Sequence, residues 1–183
     1  YGLMALPVAL FMVPWPGPHL WPILMGAWAI HTLYKTLQAM AYTRGAYTVV
    51  YPIVRGTGPL FTVIGAFLLF GEVFTIGQWT GMGVLLSGIF GLAVYNLRNV
   101  TLERETLKMA LILALCTGLC VALYTTYDAF GIRASANPFT FLAWFFVIDS
   151  WAMPTVSLFY AKHKGIVLQG QGLWWRGPIG GLL

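Results

Sequence analysis

The sequence is poor in charge. Charged residues make up 8% of its 183 positions, whereas about 25% is usual in a soluble globular domain. Hydrophobic residues make up 59%. Several stretches with at most one charge are roughly 20 residues long, enough for a helix to cross a hydrocarbon core about 30 Å thick. We therefore predict an all-α fold, a polytopic bundle of transmembrane helices, rather than a soluble domain.

The sequence also lacks the patterns of metal sites and of common enzymes. Its two cysteines, Cys116 and Cys120, lie four residues apart without His or carboxylate neighbours, so we interpret them as small packing residues. There is no Gly-x-Ser-x-Gly, no His-Glu-x-x-His and no Gly-rich phosphate loop followed by Lys-Ser/Thr. We predict no enzyme activity, no metal and no cofactor.

The Lys and Arg residues behind the net charge of +5 are distributed as membrane-topology signals usually are. Lys and Arg lie in short connectors and form no basic stripe of the kind that follows nucleic-acid phosphates, so we expect membrane lipid as a partner and no nucleic acid. When Lys and Arg are counted in alternate connectors, one side of the membrane carries only Arg133. The positive-inside rule therefore makes the other side cytoplasmic. That other side carries Arg44, Arg98, Arg104, Lys108, Lys162, Lys164 and Arg176.

Proline, glycine and charge divide the chain into seven apolar segments. These are 1–13, 20–42, 46–70, 76–96, 106–127, 138–161 and 172–183. The chain starts at a Tyr and ends inside an apolar run. We therefore expect it to be truncated at both ends relative to a longer protein.

A weak internal repeat relates the first segment to the sixth. Ala5-Leu6-Pro7 recurs as Ala152-Met153-Pro154, and a Trp followed by a Gly comes next in both places. Segments five apart run in opposite directions, so the match favours an inverted-topology repeat, an architecture common among transporters. A chance match in an apolar sequence is the alternative.

The second segment carries a polar stripe. His31, Lys35, Gln38 and Tyr42 are spaced i, i+4, i+7 and i+11, which places them on one helix face. Lys at hydrocarbon depth costs about 2.5–3.5 kcal/mol. We predict that the stripe faces a cavity where His31, Lys35 and Gln38 bind substrate; snorkelling of Lys35 is the alternative.

The third segment places an arginine between two prolines. Pro52 and Pro59 remove backbone donors, so we expect a broken helix, tolerated at depth where a cavity or protein satisfies the backbone. Tyr51, Arg55 and Thr62 fall on one face and are predicted to bind substrate, with Arg55 holding a carboxylate or phosphate. A structural Arg55, paired with Asp149 or with carbonyls, is the alternative.

The fourth and sixth segments carry small residues and a lone acid. Gly83, Ser87 and Gly91 repeat every four residues, which predicts close helix packing. Asp149 lies near the middle of the sixth segment. Because burial disfavours the charged form of an acid, we predict Asp149 as a proton-coupling residue, with a buried partner for Lys35 or Arg55 as the alternative.

Several of these motifs together resemble the EamA-like drug/metabolite transporter superfamily, in which a Pro-containing helix ends at Gly-Glu and a Gly-rich helix follows. The motifs are Arg55-Gly56-Thr57-Gly58-Pro59-Leu60-Phe61-Thr62, Gly71-Glu72, Gln78-Trp79-Thr80-Gly81-Met82-Gly83 and Ser87-Gly88. The resemblance implies ten helices in two inverted five-helix halves. Residues 1–96 would then be helices two to five of the first repeat, and 106–183 helices six to the start of eight in the second. It also implies cytoplasmic termini, unlike the charge count, so the orientation stays open.

These features together predict a secondary transporter, a permease or exporter of small metabolites or drugs, with protons as a candidate coupling ion. We expect it in the inner (plasma) membrane of a bacterium. A non-transporting membrane scaffold and an intramembrane enzyme are the alternatives.

Overall fold

The computed structural model describes residues 1–45, 47–99 and 104–165. Its helices are α1 (Gly2–Pro7), a π-helical stretch (Val8–Met12), α2 (Leu20–Arg44), α3 (Tyr47–Phe70), α4 (Ile76–Asn99), α5 (Arg104–Ala134), α6 (Pro138–Asp149) and α7 (Ala152–Lys164). These described residues form helices and no strand, which confirms the predicted all-α class. The seventh predicted segment, 172–183, lies outside the described residues.

Four helical stretches are long and apolar enough to cross a membrane. They are Tyr47–Leu68, Ile76–Asn96, Lys108–Ala134 and Pro138–Lys164. α2 has 25 residues, enough to span roughly 37 Å at 1.5 Å per residue, but its polar stripe keeps it out of this set. The four apolar stretches indicate a membrane protein.

The chain divides into two compact units. One is Ala29–Gly131, which we call the central unit and which contains α3, α4 and most of α2 and α5. The other is Tyr1–Trp28 with Ile132–Leu183, where α1 packs against α6. The two repeats predicted from sequence, and their inverted relation, stay predictions.

One face of α3 forms the core of the central unit. Val49, Val50, Ile53 and Val54 are all buried, and their spacing places them on one side of the helix. They cluster with small residues of the neighbouring helices, since Ala41, Ala93, Ala110 and Ala114 belong to the same buried core together with Leu113. β-branched side chains on α3 therefore pack against alanines, which lets the helix axes approach.

α3 and α5 approach closely at two glycines. A Cβ at Gly118 would overlap Thr57 Oγ1 and lie 2.7 Å from Thr57 Cβ. A Cβ at Gly58 would lie 2.9 Å from Val121 Cγ1. Small residues at a helix interface allow this separation, so Gly58 and Gly118 fix the distance between the two helices.

The small-residue stripe of α4 does not make the close packing that its spacing predicts. No described atom lies within 4 Å of a Cβ built at Gly83, Gly88 or Gly91. α4 instead meets α3 at Gly56, where a Cβ would lie 2.9 Å from Ile89 Cγ2. The glycine that matters for this contact is on α3, and the stripe lies on the opposite, open side of α4.

α3 is not broken at its prolines, contrary to the sequence-based expectation. It is one continuous helix over Tyr47–Phe70. Pro52 has no N–H to donate to the carbonyl of Thr48, four residues earlier. Asn96 Nδ2 of α4 donates to that Thr48 oxygen at 2.9 Å. A side chain from the neighbouring helix thus supplies the donor that Pro52 lacks.

The sixth predicted segment, 138–161, is interrupted in the structure. α6 ends at Asp149 and α7 begins at Ala152. The residue four before Pro154 is Ser150, whose carbonyl cannot receive a backbone hydrogen bond from proline. The interruption lies where that bond is missing.

α5 is longer than the predicted 106–127 and ends at Ala134. Asp128 does not end the helix, because its carboxylate pairs with His31 inside the central unit. The chain turns at Ser135, whose Oγ donates to the Asn137 carbonyl at 2.7 Å. Asn137 Oδ1 then accepts from the Phe139 N–H at 3.0 Å and caps α6.

We predict that Gly118→Ala destabilises the protein. Its methyl group would overlap Thr57, and overpacking of this kind costs about 1–3 kcal/mol. The matched control is Gly83→Ala, where the space is open and alanine's helix propensity adds roughly 0.5–1 kcal/mol. Thermal unfolding in detergent is the measurement. A Gly118→Ala variant as stable as Gly83→Ala would contradict the close approach.

We also predict energetic coupling between Asn96 and Pro52. Asn96→Ala leaves the Thr48 carbonyl without its donor and should cost about 1 kcal/mol of unfolding free energy. In a Pro52→Ala background the restored N–H can serve that carbonyl, so the cost should fall towards zero. The four proteins of the double-mutant cycle measure this coupling.

The control for this cycle is Asn99→Ala, because Asn99 Nδ2 donates to Tyr95 within its own helix. Its cost should not depend on residue 52. Equal costs of Asn96→Ala in both backgrounds would show that Asn96 does not compensate for the proline.

Candidate functional site

A cavity of about 400 Å³ lies inside the central unit. All four of its helices contribute to the lining. The lining residues are Tyr34 of α2, Val54, Arg55, Pro59, Thr62 and Val63 of α3, Met82 of α4, and Val121, Tyr124 and Thr125 of α5. The volume falls in the range of about 300–1,000 Å³ that is typical of small-molecule sites.

Arg55 is the charged group of the cavity. Val54 is buried in the core and also borders the cavity, and Arg55, the next residue on α3, lines the same cavity. The guanidinium carbon lies 5.3 Å from the centre of the Tyr51 ring, a distance at which cation and ring attract. Tyr51 in turn stacks on Tyr47 with ring centres 5.1 Å apart. Tyr51 therefore contacts the arginine on one side, and Tyr47 packs on Tyr51.

Thr62 lies two turns beyond Arg55 on the same helix. Its hydroxyl donates to the Gly58 carbonyl at 3.0 Å, which leaves the oxygen lone pairs available as acceptors. The cavity therefore offers a guanidinium and the Thr62 hydroxyl, and three further lining residues, Tyr34, Tyr124 and Thr125, carry hydroxyl groups.

A histidine and a carboxylate meet beside this cavity. His31 Nε2 and Asp128 Oδ2 are 2.9 Å apart, with the side chains 12% and 22% exposed. The His31 ring packs on Tyr124 with ring centres 4.3 Å apart, and Tyr34 packs on the same Tyr124 at 5.1 Å. Since Tyr34 and Tyr124 both line the cavity, the pair lies directly behind its wall.

The structure brings together some of the predicted site residues. Arg55 and Thr62 line the cavity, Tyr51 contacts Arg55, and His31 lies behind Tyr124. Lys35 and Gln38 are half-buried on α2 and are not among its lining residues. Gln38 Nε2 donates to the Tyr42 hydroxyl at 3.2 Å.

Asp149 belongs to the other compact unit. It is 4% exposed and lies at the end of α6. Its Oδ2 accepts a hydrogen bond of 2.9 Å from the Tyr1 hydroxyl. Its predicted role in proton coupling stays a prediction.

Sequence reasoning missed Asp128, Tyr124 and Tyr34. The predicted fifth segment stopped at residue 127, which left Asp128 in a connector. A usable signal was present, because Tyr124 and Asp128 are spaced i and i+4 and share a helix face. Tyr34 is next to Lys35 in the sequence but does not belong to the predicted polar stripe of α2.

The described residues contain no group of three or more His, Cys, Asp or Glu able to hold a metal ion. Cys116 and Cys120 are both free, the first exposed and the second buried.

No protein-family model, no curated protein and no solved structure matches the chain.

We predict that water reaches the cavity. In a background of Cys116→Ala and Cys120→Ala, a cysteine at position 62 should react with a charged, membrane-impermeant thiosulfonate reagent. The matched control is Ala41→Cys, since Ala41 is 0% exposed and its thiol should stay unreacted. Mass spectrometry of intact protein after labelling in membranes measures both. An unreactive thiol at position 62 would mean that the cavity is closed to water.

Proposed function

We propose that this protein is a secondary transporter of small organic anions, a class of metabolites and drugs, and that it resides in the inner membrane of a bacterium. The proposal extends the resemblance to EamA-like transporters. In this proposal, the chain contributes parts of two inverted repeats to a ten-helix protein.

The observation that supports transport most directly is the cavity that contains Arg55. It has the volume of a small-molecule site, and it lies among helices that include three of the four stretches able to span a membrane. A cavity at membrane depth lined by four helices is where a transporter would hold its cargo. A scaffold needs no such space.

Arg55 supports an anionic substrate. Its planar guanidinium matches carboxylate and phosphate groups bidentately and keeps its charge at physiological pH. Among the described residues Arg55 forms no salt bridge, and the ion pair of the central unit joins His31 to Asp128. A charge in an apolar helix is costly, and an incoming anion would offset that cost.

The walls favour an anion that carries an apolar or aromatic body. Val63, Pro59, Met82 and Val121 present apolar surface, and Tyr34 and Tyr124 present rings. An anionic group on Arg55 would place the rest of a small molecule against these side chains. The hydroxyl of Thr62 would accept from a donor on the substrate.

We predict that the reconstituted protein exchanges small anions and that Arg55 is required. Proteoliposomes loaded with unlabelled succinate, phenyl phosphate or benzenesulfonate should take up the same labelled anion by counterflow. Arg55→Ala should raise the half-saturating concentration about 10- to 100-fold, as expected for the loss of a charge-assisted bond worth about 1.5–3 kcal/mol.

The matched control is Arg133→Ala, since Arg133 is exposed in the last turn of α5 and its loss should leave exchange unchanged. The scaffold alternative predicts no exchange by the wild-type protein. If the folded wild-type protein exchanges none of the three anions, and Arg55→Ala chiefly lowers the unfolding temperature, Arg55 is a structural residue.

A further inference from the structure

His31 and Asp128 form a hydrogen-bonded pair of an imidazole and a carboxylate. At 2.9 Å, Nε2 and Oδ2 share one hydrogen bond. The other carboxylate oxygen, Asp128 Oδ1, is buried without a hydrogen-bond partner among the described residues. The carboxylate is therefore held mainly by one partner, and that partner is the side chain best suited to gain and lose a proton near neutral pH.

The pair has two protonation states that differ by one charge. With a neutral imidazole donating Nε2–H to the carboxylate, the net charge of the pair is −1. When a proton from water adds to Nδ1, the imidazolium and carboxylate together have a net charge of zero. No bond other than N–H forms or breaks, and the hydrogen bond to Oδ2 persists and becomes charge-assisted.

We infer that His31 and Asp128 form the proton-binding site of the transporter, linked through Tyr124 to anion binding at Arg55. This inference rests on the proposed function. It assigns the coupling role to a pair in the same unit as the cavity and gives Asp128 a function that its sequence position did not suggest.

Tyr124 connects the two sites physically. One side of this residue packs on the His31 ring, and the residue also lines the cavity that contains Arg55. Tyr124 is also one helical turn from Asp128 on α5. A change of charge at Arg55 or at the pair therefore acts on the other site across the Tyr124 side chain.

The sign of the linkage follows from charge. In the empty cavity, the cation of Arg55 favours the negative state of the pair. A bound anion neutralises Arg55 and repels a negative pair, so it favours proton uptake. By reciprocity a proton on the pair favours the anion. An anion and a proton bound together add no net charge to the site, whereas either alone changes it by one, which is costly to move across a membrane.

The other ionisable groups near the pair do not reverse this sign. On α2 they are Tyr34 and Lys35, on α5 Tyr124, and on α3 Arg55. α4 presents Met82 to the cavity. Arg55 is a cation in both states of the pair, and the two states compared differ only by the proton on the pair.

The first test separates exchange from proton-driven accumulation. Benzenesulfonate is the probe, because it stays ionised and does not carry protons itself. In wild-type proteoliposomes, an inward-directed proton gradient of about one pH unit should drive up to about tenfold accumulation at one proton per anion. Asp128→Asn should retain counterflow exchange and lose this accumulation. His163→Gln, at the exposed end of α7, is the matched control.

The second test needs no substrate. Infrared difference spectra of the protein recorded between acidic and neutral pH should contain bands of the His31 imidazole and of the Asp128 carboxylate. His31→Gln should remove the imidazole contribution of this pair, Asp128→Asn should remove its carboxylate contribution, and His163→Gln should leave both in place. If the wild type exchanges none of the anions, that result counts against the proposed transport only. The infrared test still decides whether the pair binds a proton.

Two results would overturn the inference. One is accumulation driven by the proton gradient that survives in Asp128→Asn, or that is lost in Asp149→Asn while Asp128→Asn retains it. The other is an infrared difference spectrum that neither His31→Gln nor Asp128→Asn alters.

Discussion

The close packing of α3 on α5 is the constraint on which the rest of the central unit depends. Because Gly118 and Gly58 have no side chain, Thr57 can pack against the first and Val121 against the second. Further along the same face of α5, Val121, Tyr124 and Thr125 line the cavity, and Asp128 reaches His31. One helix face thus sets the interhelical distance, forms a wall and positions a carboxylate, because residues three and four apart fall on one side of a helix.

A second constraint is that backbone polar groups at membrane depth need partners. Each proline in α3 removes one donor, yet the helix is continuous. At Pro52 the missing donor comes from Asn96 of α4. At Pro154 the structure shows the other outcome, an interruption between α6 and α7. The same residue type therefore has different consequences at these two positions.

The polar side chains of the central unit form one connected region rather than isolated features. Arg55 contacts Tyr51, Tyr124 joins the cavity to His31, and His31 is paired with Asp128. His31 and Asp128 are 12% and 22% exposed, and pairing lowers the cost of their partial burial. In the proposed transporter, an anion at Arg55 and a proton on the pair would each offset one charge of this region.

The sequence by itself determined the all-α class, most helix positions and the shared face of Arg55 and Thr62, since these depend on composition and on the local period of 3.6 residues. Only the tertiary structure decided which helices meet. It selected Gly56, Gly58 and Gly118 over the glycine stripe of α4, and it paired Asn96 with the carbonyl freed by Pro52. It also brought Asp128 to His31 across 97 residues of sequence. Local periodicity gives the direction of a side chain around its own helix, but its partner depends on the packing of other helices, which no local pattern records.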